Sequence, residues 1–292
     1  MGYVDFILNV AGLLLWLNWR SIRFDPLARR TPATLMGTLR PASSKTPRCW
    51  HLLAFLGGIL FFRAVVYWWL GSSVWAGKLD LGATVLSFRS DWFLRILFFS
   101  FFSFGLAMWV FCLCLLPLSI LQGPETIQGL VSIPLGRVDG WPRWVKFLLP
   151  LLAGALGYWL ASWLLAWLQI IPPPGSMGHR LGQSLVIGLG GYLVWKFPIG
   201  AILMLHLLNS YIYFGKNPFW NHVNFAAQKL LSPLRRLPLR FGKMDFAPVV
   251  GVILVFLFAH VAEYGIKTNP RTGEHGQRLK PLVNIPGLVD LF

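Results

Sequence analysis

Two basic residues stand inside long apolar runs, where water is not the expected surrounding. Arg63 lies within His51–Leu70, and Lys196 lies two residues before Pro198 in the run Gly182–Phe214. A charge at such depth costs roughly several kcal/mol unless something relieves it. Arg63 is expected to snorkel toward Tyr67, Trp68 and Trp69 at the end of its run. Lys196 sits nearer mid-run. Pro198 withdraws the N–H that would bond the Val194 carbonyl, and Gly188, Gly190 and Gly191 loosen the preceding turns, so a kink or break is expected there. A broken helix beside a buried charge is a way of building an ion or solute site. No acidic residue is expected at comparable depth, which argues against a cation pathway and leaves anion or lipid-headgroup binding open.

The remaining reactive side chains point to structure rather than catalysis. His206 shares a helical face with Asn209 and Ser210, while His260 falls late in the last run. Helical rise puts these two histidines at different depths, so interhelical hydrogen bonding is expected rather than haem or metal ligation. Cys112 and Cys114 are two apart in an apolar run and point to different faces; with Cys49 they are too few and too awkwardly placed for a disulfide framework. Asp80, Asp91 and Glu263 flank apolar runs and form no catalytic pair. There is no nucleophile–base motif, zinc spacing or phosphate loop. No enzyme is expected, and no catalytic, metal or cofactor-binding residues or cofactor.

The elements that hold these residues follow from composition. The 292 residues are 56% hydrophobic and only 12% charged, too few charges to cover a water-exposed surface. Six runs approach the length of about 20 residues that a bilayer core requires: Tyr3–Trp19, His51–Leu70, Trp92–Leu121, Val145–Ile171, Gly182–Phe214 and Phe246–Gly265. The first is short and contains Asp5. No Lys or Arg precedes it, whereas Arg20 and Arg23 follow it, which favours an uncleaved helix over a signal peptide. The net charge of +16 would suggest nucleic acid in a soluble chain, but here the basic residues cluster between apolar runs. With Lys146 counted in the linker before it and Arg95 in the loop before it, sixteen Lys and Arg lie in the first, third and fifth linkers against eight on the opposite side. That bias predicts an all-α, multi-pass protein of a bacterial inner (plasma) membrane, with those linkers cytoplasmic and both termini periplasmic. The expected partners are anionic lipids and other integral membrane proteins, not nucleic acid.

The runs group as three hairpins, each with a basic linker between its two runs, over residues 1–76, 92–171 and 182–266, followed by a polar tail at 267–292. The tail is expected to be irregular and to dock back on the protein or on a partner. Between the first two hairpins, Gly77–Asp91 alternates loosely and fits a short hairpin or interfacial strand.

The last linker is the most informative. Apolar residues at Phe219, Trp220, Val223, Ala226, Ala227, Leu230, Leu231 and Leu234 make one helical face. Asn221, His222, Asn224, Gln228, Lys229, Ser232, Arg235 and Arg236 make the other. Such a helix is expected to lie in the membrane plane, apolar side in the acyl boundary and cations among the headgroups. Pro233 and Pro238 flank Arg235 and Arg236 in a corner that cannot continue the helix. Asp245 then precedes the last run, placed to cap its N-terminus and to pair with Arg235 or Arg236. Lys229, Arg235, Arg236 and Asp245 are therefore the candidates for lipid or partner contact, and Arg63 and Lys196 are the intramembrane charges of interest.

Pro233, Arg235, Arg236, Gly242, Asp245 and Pro248, in that order between two apolar runs, resemble the repeat of the YggT family of small membrane proteins, over residues 182–265. Pro238 arrives one residue early, and Pro134, Arg137, Asp139 and Pro150 echo the element in the preceding hairpin without its double arginine. The resemblance implies a non-enzymatic membrane protein that organises or assembles membrane complexes. The alternatives are a small-solute or ion conduit at the broken fifth run and an accessory subunit of a respiratory or photosynthetic complex.

Overall fold

The computed structural model describes residues 2–24, 50–71, 77–81, 84–88, 91–121, 131–172, 176–212, 218–234, 240–241, 244–267 and 284–291. Helix dominates them. α1 (Gly2–Phe24), α2 (Trp50–Leu70), α3 (Phe93–Leu121) and α4 (Arg143–Trp167) occupy the first four apolar runs. The fifth run holds α5 (Met177–Gly190) and α6 (Lys196–Tyr211), joined by a 3-10 turn at Gly191–Trp195. The linker helix α7 (Pro218–Leu230) and then α8 (Ala247–Tyr264) complete the series. Among the described residues, six helical stretches are long and apolar enough to cross a membrane: Gly2–Ile22, Trp50–Leu70, Phe93–Leu121, Arg143–Trp167, Met177–Tyr211 and Ala247–Tyr264.

The break expected at Pro198 falls just before it. The five residues ahead of Lys196 tighten to 3-10 geometry, and Pro198 then sits in the first turn of α6, where a missing N–H is tolerated. Two other helix ends depend on glycine. Gly71 closes α2 with φ +74°, and Gly265 closes α8 with φ 72° and ψ −168°, a backbone region that side chains with a Cβ avoid.

Among the described residues three small two-stranded sheets punctuate the helices: β1 (Gly77–Asp80) with β2 (Val85–Phe88), β3 (Arg240–Phe241) with β4 (Met244–Asp245), and β5 (Gly265–Lys267) with β6 (Asn284–Pro286). The first is the hairpin that the alternation in Gly77–Asp91 anticipates. The third folds the described end of the tail back on α8, since Gly265 pairs with Pro286 and Lys267 with Asn284. The short α9 (Leu288–Leu291) follows it.

The chain divides into two compact units. The first comprises residues 1–77, 88–112 and 128–140. Its core is Leu56, Leu60 and Phe104, with Leu13 and Trp16 packed alongside. Gly12 of α1 lets Phe104 and Leu56 approach closely, because a Cβ there would lie 2.7 Å from the Phe104 ring.

The second unit comprises residues 78–87, 113–127 and 141–292. Within it α4 and α5 run antiparallel at backbone contact. A Cβ on Gly188 would meet the Leu151 carbonyl oxygen at 2.5 Å, and one on Gly154 would meet the Gly188 Cα at 3.0 Å. Close approach through small residues is how helices associate where water supplies no driving force. This pairing crosses the boundary between the second and third hairpins laid out from the sequence. α6 and α8 form another antiparallel pair, with Gly200 beside Phe256 and Gly251 beside Leu203.

α7 differs from its expected setting. Its apolar stripe faces protein instead of an acyl boundary: Ala226, Ala227 and Leu231 pack with Ile202, Leu203 and Ala247, joined by Leu118 and Leu121 from the end of α3.

Candidate functional site

The most developed polar constellation lies in the first unit and gathers side chains from three candidate spans. On α1, Asp5 and Asn9 are one turn apart; on α2, Arg63 and Tyr67 are one turn apart; on α3, Ser100 and Ser103 are three residues apart. Each pair therefore lies on one helical face. The three faces converge on the Arg63 guanidinium, which is 2% exposed. Its Nε donates to Ser100 Oγ at 3.0 Å, its Nη2 to the Ser100 carbonyl at 2.6 Å, and its Nη1 to Asn9 Oδ1 at 3.0 Å. The same Nη1 lies 3.7 Å from Asp5 Oδ1. Phe99 presents its ring 5.7 Å from the guanidinium carbon.

The surrounding groups close the network. Asn9 Nδ2 donates to Ser103 Oγ at 3.0 Å, Ser100 Oγ donates to the Leu60 carbonyl at 2.7 Å, and the Tyr67 hydroxyl donates to Asp5 Oδ1 at 2.6 Å. All three nitrogens of the guanidinium are thus engaged. A planar fork of donors suits this task better than an ammonium would. Arg63 does not snorkel to the aromatic end of its helix. It turns inward, because Asp5 supplies a counter-charge and two polar helix faces supply acceptors for each of its nitrogens.

In the second unit Lys196 Nζ lies 3.2 Å from Glu263 Oε2, both side chains about four-fifths covered. Lys196 also lies 5.4 Å from the ring of Phe197. Glu263, assigned by its position in the sequence to the membrane flank, therefore stands level with Lys196. The antiparallel packing of α6 and α8 creates that level: Lys196 opens α6, and Glu263 is the penultimate residue of α8. The expectation of no acid at the depth of Lys196 is corrected accordingly.

The pair also fixes the histidines. His206 lies ten residues beyond Lys196, about 15 Å along α6, whereas His260 lies within one turn of Glu263. They stand at different depths. His206 Nδ1 shares a hydrogen bond of 2.8 Å with Asn224 Oδ1, which also accepts from Asn209 Nδ2 at 3.2 Å, so α7 is tied to α6 by polar contacts. His260 packs its ring against Tyr264. His222, placed on the polar face by the sequence pattern, is buried, with no partner for either ring nitrogen among the described residues. It precedes Ala226 by one turn and so borders the packed stripe. Burial lowers its pKa from the ordinary histidine value.

Of the residues singled out for lipid or partner contact, Lys229 donates to the Leu121 carbonyl at 2.9 Å and lies 4.2 Å from the Phe225 ring. It therefore caps the C-terminal end of α3. Asp245 Oδ1 accepts from the Ala247 N–H at 3.0 Å, the N-terminal capping contact anticipated for α8. Arg235 and Arg236 lie outside the described residues.

Sequence reasoning missed Asp5, Asn9 and Ser100 as partners of Arg63, Ser103 as the partner of Asn9, and also Lys146. Lys146 is wholly buried and donates to Ser119 Oγ at 2.8 Å. The missed signal was the polar pair at helical spacing in each of the first three runs. Among the described residues no group of three or more His, Cys, Asp or Glu is placed to hold a metal ion. No family model matches the chain, and no curated protein or solved structure matches it either.

Proposed function

We propose that the chain is a multi-pass protein of a bacterial inner membrane, of YggT type over residues 182–265, that organises or assembles membrane protein complexes through lipid and protein contacts and performs no reaction of its own. The single observation that supports this best is the closure of the Arg63 network. Its guanidinium, the most deeply enclosed charge assigned to a span from the sequence, is spent on holding α1, α2 and α3 together. A group engaged on all its nitrogens is a fastener, not a reactive centre. The expected arrangement keeps the basic linkers cytoplasmic and both termini periplasmic, with Arg235 and Arg236 at headgroup depth among anionic lipids.

Affinity purification of the full chain in mild detergent, with identification of co-purifying proteins, tests the reading. Arg235→Ala with Arg236→Ala is expected to lower recovery of those proteins. Unchanged recovery contradicts the assignment of this corner as the docking element, and stoichiometric recovery of a respiratory or photosynthetic complex favours the accessory-subunit alternative.

One observation favours a second reading. The Lys196–Glu263 pair beside the 3-10 break at Gly191–Trp195 supplies the carboxylate that a conduit would otherwise lack. Lys196→Ala should then abolish solute or ion flux in reconstituted liposomes. An organiser keeps its partners under the same substitution.

A further inference from the structure

The α4–α5 pair carries a cation unlike the others. Arg180, in the first turn of α5, is 7% exposed, yet among the described residues no carboxylate pairs with it and its Nε–H has no hydrogen-bond partner. Its guanidinium lies over the face of Trp163 with 4.4 Å from carbon to ring centroid, and the Tyr158 hydroxyl lies within electrostatic reach. Trp159, one turn before Trp163 with ring centroids 6.4 Å apart, has a second enclosed N–H without a partner among the described residues. Arg63 shows what this chain does with an enclosed guanidinium that it satisfies internally: carboxylate, amide and hydroxyl acceptors surround it. Around Arg180 the described chain supplies aromatic faces and a tyrosine hydroxyl, but no carboxylate and no acceptor bonded to its Nε–H. Aromatic faces soften the loss of water but do not replace the hydrogen bonds of a guanidinium.

We propose that Arg180 anchors a binding site for an oxyanion of the phosphate class, lined by Trp163, Tyr158 and Trp159, and that a lipid phosphodiester is its source. The depth fits that source. Arg180 is three residues past Met177, the first residue of α5, and Trp163 is one turn before the end of α4 at Trp167, so the Arg180–Trp163 stack lies about 5 Å inside the helix ends, at the border of headgroups and acyl chains, with Tyr158 and Trp159 about one turn deeper. A planar fork of N–H donors matches phosphate geometry, and a tryptophan beneath it leaves the donor edge free to bind. This inference rests on the membrane reading above but is independent of the organising role, because its readout is lipid retention and not partner recovery.

The test uses the purified full-length protein in detergent. Native mass spectrometry with added phosphatidylglycerol should show lipid retained by the wild type, with Arg180→Gln weakening that retention about tenfold, the loss of a charge-assisted contact. Arg180→Lys, which keeps the charge but loses Nε–H and the fork, should fall between them. Equal retention by wild type and Arg180→Gln overturns the site. If Arg180→Gln fails to fold, thermal melting of the wild type decides. Phosphatidylglycerol raising the melting temperature more than phosphatidylcholine supports the site, and equal effects overturn it. A parallel arm with millimolar inorganic phosphate separates the sources. Stabilisation by phosphate alone, without discrimination between the two lipids, overturns the lipid assignment.

Discussion

Among the described residues, two ion pairs set between candidate spans are built on different principles. Arg63 is enclosed, uses all three nitrogens and reaches partners on α1 and α3, whereas Lys196 makes one carboxylate contact at a site that stays about one-fifth exposed. The difference follows from the donors. A guanidinium left without acceptors at full burial is costly, so it demands a polar shell; an ammonium near a helix end keeps part of its hydration and needs only a counter-charge. The first arrangement therefore sets which helices belong together, and the second trims the register of a pair already packed by Gly200 and Gly251.

The contrast can be broken most forcefully at Arg63. Arg63→Ala leaves Asp5, Asn9 and Ser100 without their cation and is expected to cost about 3–5 kcal/mol, read as loss of folded yield and a lowered melting temperature in detergent. Removing both charges, as Arg63→Met with Asp5→Leu, should recover much of that loss. Failure to recover would mean that Asn9 and Ser100 carry the interaction without help from the ion pair.

Gly188→Ala tests whether packing or charge dominates the second unit. A methyl group aimed at the Leu151 carbonyl cannot be accommodated without moving backbone, so a cost of about 1–3 kcal/mol is expected in the same melting assay. Lys196→Met should cost less, about 1 kcal/mol, and the effect of the Lys196–Glu263 pair should shrink in high salt while that of Arg63 does not. A larger loss at Lys196 than at Gly188 would reverse the ranking.

The smallest expected effect is a pH slope. Burial depresses the pKa of His222 in the folded state, so the unfolded chain binds the proton more readily. Stability is then full above the unfolded value near 6.5 and falls as the pH drops through it toward the lower folded value, by at most about 1.4 kcal/mol per pH unit. The melting temperature of the wild type should therefore drop more between pH 7.5 and 5.5 than that of His222→Leu, and parallel slopes would remove His222 as the cause.

The helices were legible because uninterrupted apolar runs of this length have few other uses, and Pro198 announced the break at Gly191–Trp195. The polar partnerships were less so. Asp5 read as a flaw in the first run because its counter-charge lies 58 residues away by number on α2, and sequence spacing carries no information about which helix faces will meet. Glu263 read as a flank for the same reason: its depth is set by the antiparallel register of α6 and α8. For α7 the period revealed a stripe, but a stripe of alanines and leucines looks the same whether it faces acyl chains or Ile202 and Leu203. His222 was misplaced because it stands at the stripe's edge, one turn from Ala226.

The cations that close the end of α3 have a history as well as a position. In the proposed orientation Lys146 and Lys229 are counted on the inner side while the chain is being threaded, when each is still solvated and can help decide which loops stay behind. Once the helices assemble, Lys146 reaches Ser119 and is enclosed, whereas Lys229 reaches the Leu121 carbonyl and stays exposed. In that orientation the same two ammonium groups would serve first as routing labels during synthesis and afterwards as bolts.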